Sequence, residues 1–262
     1  MKLTCTPARH RSAFTMIEIA IALAVIAFAL VAIIGVLPLG MNVQKENRER
    51  TIINQDAAYL IEAIRNGARG ADDLTNYVLS ITNYVWQVSA GAQIMGFPPG
   101  NPDRINWYTF ETASINGTTA PAFRLTNGAR IVGLLSTPKQ ITTASDDEVN
   151  QVIANFRAIS GAAAEKFPQK DDNQLSLAFS YRLVPQLSSI PAAVEDTRLN
   201  RTFDTNLHEV RLVFRWPLLP NGVVGGGRQV YRTLADGYIQ QTNDFQMTNL
   251  YFLQPSTYTS VQ

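Results

Sequence analysis

The feature that most constrains this chain is a run of nineteen residues, Ile19–Leu37, without a charged or strongly polar side chain. As an α-helix rising 1.5 Å per residue, the run would be roughly 28 Å long, close to the hydrocarbon thickness of a bilayer. A helix in the core of a soluble protein is rarely apolar on every face over such a length. The run therefore predicts one membrane-spanning helix near the N-terminus.

The residues before this helix predict its orientation. Lys2, Arg9 and Arg11 lie within the first thirteen residues, which contain no acidic residue. By the positive-inside rule, the N-terminus stays in the cytoplasm and the residues after the helix are exported. The only cysteine, Cys5, precedes the helix, so the exported part would have to hold its fold by packing and not by disulfides.

An acidic residue, Glu18, stands directly before the apolar run. A charge at the bilayer centre costs about 2.5–3.5 kcal/mol on insertion scales, so an acid here requires a role. In one reading, Glu18 pairs with a positively charged amine of a neighbouring, axially shifted helix. In the other, it begins its own helix or reaches to the interface, and the span is a plain anchor.

The segment AFTMIEIAIALAVIAFALVAIIGVLPLG, residues 13–40, resembles the N-terminus of type IV pilins, type II secretion pseudopilins and related prepilin-like proteins. The resemblance rests on a basic leader, a Phe-Thr pair at 14–15, Glu18 four residues after Phe14, and the apolar run that follows at once. It covers about residues 9–40, a small part of the chain. Its specificity comes from the joint occurrence of these features.

The resemblance implies a processing site and an assembly residue. A prepilin peptidase would cut between Ala13 and Phe14, and the new amine of Phe14 would be methylated. Glu18 would then be the fifth mature residue, the family's assembly glutamate. The family's leader more often ends in Gly, so Ala13 is a departure. The implied partners are the peptidase, other pilin or pseudopilin subunits, inner-membrane lipid and an inner-membrane assembly platform.

These features divide the chain into four predicted parts. Residues 1–13 form a cleaved leader, 14–40 a transmembrane and assembly helix, 41–70 its amphipathic continuation, and 71–262 an exported head. Pro38 is expected to kink the helix, because proline lacks a backbone donor and clashes with the preceding turn.

The continuation of the helix is predicted from apolar residues at helical spacing. They are Ile53, Ala57, Leu60, Ile61, Ile64 and Ala68. Glu46 and Arg50 form an i,i+4 pair in the polar stretch before them, and Gly67 or Gly70 is expected to end the helix. The alternative is an anchor followed by a separate helix.

The head is predicted to contain mostly strands, which gives an α+β fold with a long helix packed on a mainly antiparallel sheet, as the pilin resemblance also implies. The predicted strands are Asn106–Glu111, Ala122–Leu125, Ala129–Leu135, Leu175–Val184, Leu207–Trp216, Gln229–Leu234, Gly237–Gln240 and Asn249–Leu253. Turns are expected at Asn116-Gly117 and Asn127-Gly128, and a flexible hairpin loop at Gly225–Gly227. The region Asn76–Val88 fits either a helix or a strand.

One helix is predicted inside the head. Residues 145–148, Ser-Asp-Asp-Glu, match a capping box, and apolar residues follow at helical spacing. These residues are Val149, Val152, Ile153, Phe156 and Ile159. The helix is expected to end near Gly161.

The sequence does not predict an enzyme or a cofactor. His208-Glu209 begins like a zinc-protease motif, but Leu212 stands where the second histidine would be, and the other histidine, His10, lies in the leader. Calcium is a weak alternative, with Asp171 and Asp172 as ligands beside Asp146-Asp147. Neither pair has EF-hand spacing, which favours solvated loops or caps.

A set of basic and aromatic residues near the C-terminus is a candidate ligand or DNA surface. The set is Arg201, Arg211, Arg215, Trp216, Arg228, Tyr231 and Arg232. The chain has a net charge of only +1, and alternation places several arginines on the exposed face of a sheet. The sequence therefore favours a solvated face and predicts no nucleic-acid partner.

Together these features predict a structural subunit, of the minor class because of its large head, in a type IV pilus or a type II secretion-like pseudopilus. It would reside in the bacterial inner membrane, with an exported head. The alternative is a single-span, membrane-anchored periplasmic binding module that does not polymerise.

Overall fold

A computed structural model describes residues 14–89, 97–109, 114–115, 118–119, 123–125, 127–142, 146–160, 179–190, 205–243 and 249–259. The fold is α+β, as the sequence predicts, with a long N-terminal helix and a mainly antiparallel β-sheet domain. The chain divides into two compact units, Met1–Arg50 and Thr51–Gln262.

Helix α1, Met16–Arg65, is fifty residues long, and its helical assignment continues through Pro38. Its N-terminal part is long and apolar enough to cross a membrane. The large apolar side chains of this part are exposed, from Phe14 to Leu37. Among the described residues, the chain therefore has one helix suited to a single-pass anchor.

The C-terminal end of α1 is a Schellman motif centred on Gly67. Ala68 N donates to Ala63 O at 3.0 Å, and Gly67 N donates to Ile64 O at 3.3 Å. Gly67 has a φ of +61°, and an added Cβ would lie 2.7 Å from the carbonyl oxygen of Leu253. This confirms the prediction of a glycine stop at this point.

The head contains twelve described strands and a short helix. In chain order the strands are β1 Val78–Ser89, β2 Arg104–Thr109, β3 Ser114–Ile115, β4 Thr118–Thr119, β5 Phe123–Arg124, β6 Gln140–Thr142, β7 Asp146–Arg157, β8 Ser180–Ser189, β9 Leu207–Leu218, β10 Val224–Asp236, β11 Tyr238–Asn243 and β12 Asn249–Gln254. Helix α2, Gly128–Leu135, lies between β5 and β6, and a 3₁₀ turn, Asp72–Asn76, precedes β1.

The main sheet has the order β10-β9-β8-β7-β1-β2-β5, and β6 also pairs with β7. Every pair is antiparallel except β2 with β5. Strands β11 and β12 form a separate hairpin, and β3 pairs with β4 on either side of Asn116-Gly117. Strand β10 is one edge of the main sheet.

The core lies between the second part of α1 and one face of the sheet. Ile53, Ala57, Leu60 and Ile64 are buried, at the spacing that the sequence predicts. Ile61 and Ala68 are only partly buried. On β9 the predicted alternation is confirmed, because Val210, Leu212, Phe214 and Trp216 are buried. Burial of each large apolar side chain contributes about 1.5–3 kcal/mol to the free energy of unfolding.

The predicted strand Ala129–Leu135 is wrong, because these residues form α2. Asn127, predicted as a turn residue, is the N-cap, and its side chain accepts from Arg130 N at 2.8 Å. Gly128 to Leu135 are nearly all buried. The short apolar run Ile131–Leu135 fits a buried strand as well as a buried helix, which explains the error.

The predicted helix after residue 145 is also wrong, because Asp146–Arg157 is strand β7. Val152, Ala154 and Phe156 are buried at a period of two, while Ile153 between them is half-buried on the other face. β7 pairs with β1 on one side and with β8 on the other. These long-range pairings override a local capping signal.

Three smaller expectations are resolved near the sheet. The undecided region Asn76–Val88 is mostly β1. Gly225–Gly227 belongs to β10 and not to a flexible loop, and a Cβ on Gly227 would lie 2.5 Å from the ring of Trp216. The strand predicted to begin at Leu175 is described only from Ser180, and residues 171–178 lie outside the described part.

Candidate functional site: the N-terminal segment and the head

The N-terminus of α1 is a capping box formed by Thr15 and Glu18. Glu18 Oε2 accepts from Thr15 N at 2.9 Å and from Thr15 Oγ1 at 2.8 Å. Glu18 N in turn donates to Thr15 Oγ1 at 3.4 Å, and Thr15 O accepts from Ile19 N. Orphan donors of the first turn are thereby satisfied.

Only one oxygen of Glu18 serves this cap. Both contacts to Thr15 use Oε2, and across the described segment beginning at Phe14 the Oε1 atom has no hydrogen-bond partner. Glu18 therefore caps its own helix and still presents one oxygen outward. The Thr-x-x-Glu spacing in the sequence would have revealed the cap.

The predicted processing site is described on one side only. Phe14 is 82% exposed at the helix N-terminus. Ala13 and the leader lie outside the described residues, so the predicted cleavage bond is not described as a whole.

A continuous apolar surface follows Phe14 along α1. Its exposed large side chains are Met16, Ile17, Ile19, Ile21, Leu23, Val25, Ile26, Phe28, Leu30, Val31, Ile33, Ile34, Val36 and Leu37. A soluble monomer rarely exposes an apolar patch of more than a few hundred Å². This surface is therefore suited to contact with lipid tails or other apolar helices.

The next part of α1, Gln44–Thr51, is exposed and polar, with only Glu49 partly covered. Arg50 Nη2 lies 2.7 Å from Glu46 Oε1, as the i,i+4 spacing predicts. Lys45 and Glu49 form a second pair at 3.9 Å. Exposed helix pairs of this kind contribute about 0.3–0.5 kcal/mol each, so local pairing supports this part only weakly.

A buried carboxylate, Asp56, was not predicted as a functional residue. It is 0% exposed, and it accepts from Ile159 N at 2.9 Å and from Ser160 N at 2.8 Å. Burial raises the pKa of Asp56, and these hydrogen bonds oppose that shift only in part. The side chain joins α1 to the end of β7, where it satisfies two backbone donors.

The Asp56 carboxylate also acts on Tyr181. Burial raises the pKa of Tyr181 well above its ordinary value, and the charge of Asp56 raises it further. The hydroxyl group nevertheless has no hydrogen bond of ordinary geometry, so the contact is electrostatic more than directional. Both groups lie inside the core, where a substrate would not reach them, and a structural role explains them.

His208 and Glu209 are not placed to bind one metal ion together. The two residues are neighbours on β9, so their side chains lie on opposite faces of the sheet. His208 is 3% exposed, its Nε2 lies 3.1 Å from Thr205 O, and burial lowers its pKa. The two residues therefore resemble a zinc-protease motif in sequence but not in structure.

The calcium candidates are only partly described. Asp147 is buried, and its Oδ2 accepts from Gln140 Nε2 at 3.3 Å, so it belongs to the β6–β7 pairing. Asp171 and Asp172 lie outside the described residues. Within the described ranges, no group of three or more His, Cys, Asp or Glu side chains is placed to hold a metal.

A cleft of about 250 Å³ lies beside the end of α1. Its charged lining residues are Glu62, Arg65 and Asp236. Glu62 accepts from Asn66 at 2.7 Å, and Asp236 accepts from Tyr258 at 2.7 Å. Both carboxylates thus have partners within the chain, which favours a structural role.

The basic and aromatic set does not form one surface. Trp216 is buried on the core face, and the hydroxyl of Tyr231 donates to Asn54 of α1. The arginines of β9 and β10 occupy the opposite, open face; they are Arg211, Arg215, Arg228 and Arg232. Arg201 lies outside the described part. The arginine side chains and the aromatic rings of this set thus lie on opposite faces of the sheet.

Comparisons of the chain with protein-family models, with curated sequences and with solved structures found no match. Function is therefore inferred from the physical properties of two features of the chain. They are the capped, apolar N-terminal segment and the arginine-bearing face of the sheet.

Proposed function

We propose that the chain is a structural subunit, of the minor class, of a type IV pilus or a type II secretion-like pseudopilus. A prepilin peptidase cuts between Ala13 and Phe14, and the hydrophobic helix then polymerises. The observation that carries the proposal is the joint occurrence of the Ala-Phe-Thr-x-x-Glu pattern with an exposed apolar helix that begins directly after it.

The proposed location follows from the same segment. The basic leader holds the N-terminus in the cytoplasm, the apolar helix crosses the inner membrane, and the head is exported. The subunit is extracted from the lipid by an assembly platform and enters a periplasmic or surface filament. It performs no chemistry itself, and it binds neither metal nor cofactor.

Glu18 is the proposed assembly residue. After cleavage, the amine of Phe14 is positively charged, and the outward Oε1 of Glu18 on an axially shifted neighbour can accept its hydrogen bond. Each charge then compensates the other in a surrounding of low dielectric. Oε2 meanwhile keeps the helix cap, so assembly does not require the first turn to open.

The second candidate is a membrane-anchored binding module that does not polymerise. The capping box favours it, because Thr15 gives Glu18 a purely local role in beginning the helix. In that case the charge of Glu18 has no importance beyond its own chain.

Three substitutions separate the charge of Glu18 from its capping role. Glu18→Gln keeps a capping side chain but removes the charge, Thr15→Ala removes the hydroxyl half of the capping box but keeps the charge, and Glu18→Ala removes the charge together with the carboxylate half of the box. Each variant is expressed in cells that carry the native assembly machinery. Incorporation into filaments is then measured by shearing or by cross-linking.

A filament subunit should lose incorporation in both Glu18 variants and keep most of it in Thr15→Ala. Breaking a buried charge pair costs about 3–5 kcal/mol, which predicts a loss of well over tenfold. Normal incorporation of Glu18→Gln would contradict the assembly role and leave the anchored module. Mass spectrometry of the mature N-terminus tests processing separately, and methylated Phe14 is expected in all three variants.

A further inference from the structure

The open face of the sheet carries a row of three arginines on adjacent strands. Arg182 of β8 lies opposite Arg215 of β9, and Arg215 lies opposite Arg228 of β10. Neighbouring strands are about 4.8 Å apart, so the three backbone positions fall within about 10 Å. Side chains that lie directly opposite each other on one face are close neighbours.

A second basic row lies on the same face. Arg211 of β9 is opposite Arg232 of β10 and opposite Gln186 of β8. It is four residues from Arg215, a distance of about 13 Å along the strand. The row between them holds valines, namely Val184, Val213 and Val230. Five arginines in two rows therefore flank an uncharged strip of valines.

Among the described residues, one carboxylate, that of Glu209, pairs with an arginine of this face, and the other partners are uncharged. Arg182 donates to Asn155 and to Gly222 O, and Arg232 pairs with Glu209 at 3.4 Å. Arg215 and Arg228 are exposed, and within the ranges that the structure describes neither has a carboxylate partner. Like charges placed opposite each other destabilise a sheet, so this row weakens the fold unless an anion binds it.

We propose that this face binds the phosphate backbone of double-stranded nucleic acid without sequence preference. A duplex presents a dense, regular array of phosphates, and arginine binds phosphate through two parallel N–H donors. All five basic residues of the face are arginines, whose planar fork suits such contacts better than lysine. This inference goes beyond the proposed filament role and does not depend on it.

The composition of the face distinguishes a duplex from other anionic partners. Single-strand binders stack bases on aromatic rings, but Trp216 and Tyr231 face the core. Membrane-surface binders insert Trp, Phe or Leu between their basic residues, whereas the strip between these two rows is formed by half-buried valines. The exposed Leu234 of the same face lies outside this strip, beyond Arg232. Charge without rings or inserting side chains between the two rows fits phosphate-backbone contact.

The test uses the full chain in nanodiscs of uncharged lipid. Binding of a fluorescent duplex of about 30 base pairs is measured by anisotropy between about 50 and 200 mM salt. The variant is Arg215→Gln/Arg228→Gln, and the matched control is Arg65→Gln/Arg69→Gln, which removes the same charge from exposed arginines at the end of α1. Circular dichroism verifies that both variants are folded.

The wild-type chain should bind two duplexes of unrelated sequence equally. Loss of two phosphate contacts should weaken binding at least about tenfold at low salt and reduce the slope of log K against log salt by about 1.8. The control should retain wild-type affinity and slope.

Four results would overturn the proposal. They are absence of duplex binding, equal effects of the variant and the control, tighter binding of a single strand of the same length, and binding only to vesicles of phosphatidylglycerol. The third result would point to base stacking on Tyr84 of β1 or Trp107 of β2, which lie beyond β7 in the same sheet, and the fourth to a lipid surface.

Discussion

Two carboxylates of α1 illustrate how position sets the role of the same chemical group. Glu18 is exposed and caps the turn that it belongs to, whereas Asp56 is buried and satisfies backbone donors of a different element. The sequence singles out Glu18 because a charge interrupts an apolar pattern. It does not single out Asp56, because one acid within an amphipathic helix looks like part of its solvated face.

The pKa of Asp56 predicts a pH dependence of stability. Because burial raises its pKa in the folded state above the unfolded value of about 3.9, the folded protein binds this proton more tightly. The stabilising contribution of Asp56 to the free energy of unfolding is therefore complete below about pH 4, and it is lost as the pH rises through the pKa of Asp56 in the folded state. Urea unfolding of the detergent-solubilised chain, followed by circular dichroism, measures this.

Asp56→Asn provides the reference for this measurement. The variant cannot titrate, and it presents an amide group to one of the two backbone donors, so it should be less stable by about 1–3 kcal/mol. The stability difference between wild type and variant should shrink as the pH rises above about 4. A difference that grows with pH would mean that the hydrogen bonds outweigh burial and lower the pKa.

At the scale of elements, close backbone approaches decide which glycines are indispensable. A Cβ on Gly128, at the start of α2, would lie 1.8 Å from the carbonyl oxygen of Ala71. Neither backbone segment can move without disturbing the packing of α2 on the 3₁₀ turn before β1. Gly226 of β10, by contrast, has nothing within 4 Å of an added Cβ.

Gly128→Ala should therefore destabilise the head by at least about 1–3 kcal/mol, the usual cost of overpacking. Gly226→Ala is the matched control and should change the free energy of unfolding by less than about 0.5 kcal/mol. Chemical unfolding of both variants checks the prediction. Equal stability of the two would show that the segment at Ala71 yields easily.

The long helix should not be equally protected along its length. Gln44–Thr51 is exposed and held mainly by two weak ion pairs, whereas Ile53, Leu60 and Ile64 are buried in the core. We expect backbone amides of Gln44–Thr51 to exchange hydrogen faster than those of Ile53–Ile64. Hydrogen exchange with mass spectrometry on the membrane-embedded chain tests this, and slow exchange throughout Gln44–Thr51 would reveal packing by another partner.

For the molecule as a whole, the apolar core and the apolar exposed surface belong to different parts of the chain. The core residues lie within Thr51–Gln262, and most exposed large apolar side chains precede residue 44. A fragment that begins at Thr51 should therefore fold cooperatively in water without detergent. Circular dichroism and light scattering are the measurements.

A shorter fragment, beginning at Ala71, is the control for this experiment. It lacks Ile53, Asp56, Leu60 and Ile64, and so it exposes one side of the sheet core. It should aggregate or fail to unfold cooperatively. If both fragments behaved alike, the second part of α1 would contribute little to the head.

The sequence predicts well what depends on local composition. The apolar run predicts a membrane helix because its length matches the hydrocarbon thickness of a bilayer, and period-two alternation predicts β9 because one face of that strand is buried and the other is solvated. Gly67 predicts the end of α1, because a helix often ends at a residue in the left-handed conformation, which glycine adopts most easily. The features proposed for assembly, Phe14 and Glu18, lie in this readable part.

Only the tertiary structure decided the elements that are buried on all sides and the residues that meet across strands. The sequence misassigns α2 because a short apolar run fits a buried helix as well as a buried strand, and it misassigns β7 because pairing with β1 and β8 overrides a local capping signal. The row of Arg182, Arg215 and Arg228 depends on strand register, which no composition contains. The net charge near zero predicts no nucleic-acid partner. A charge averaged over the chain does not show that strand pairing brings several arginines together on one face of the sheet.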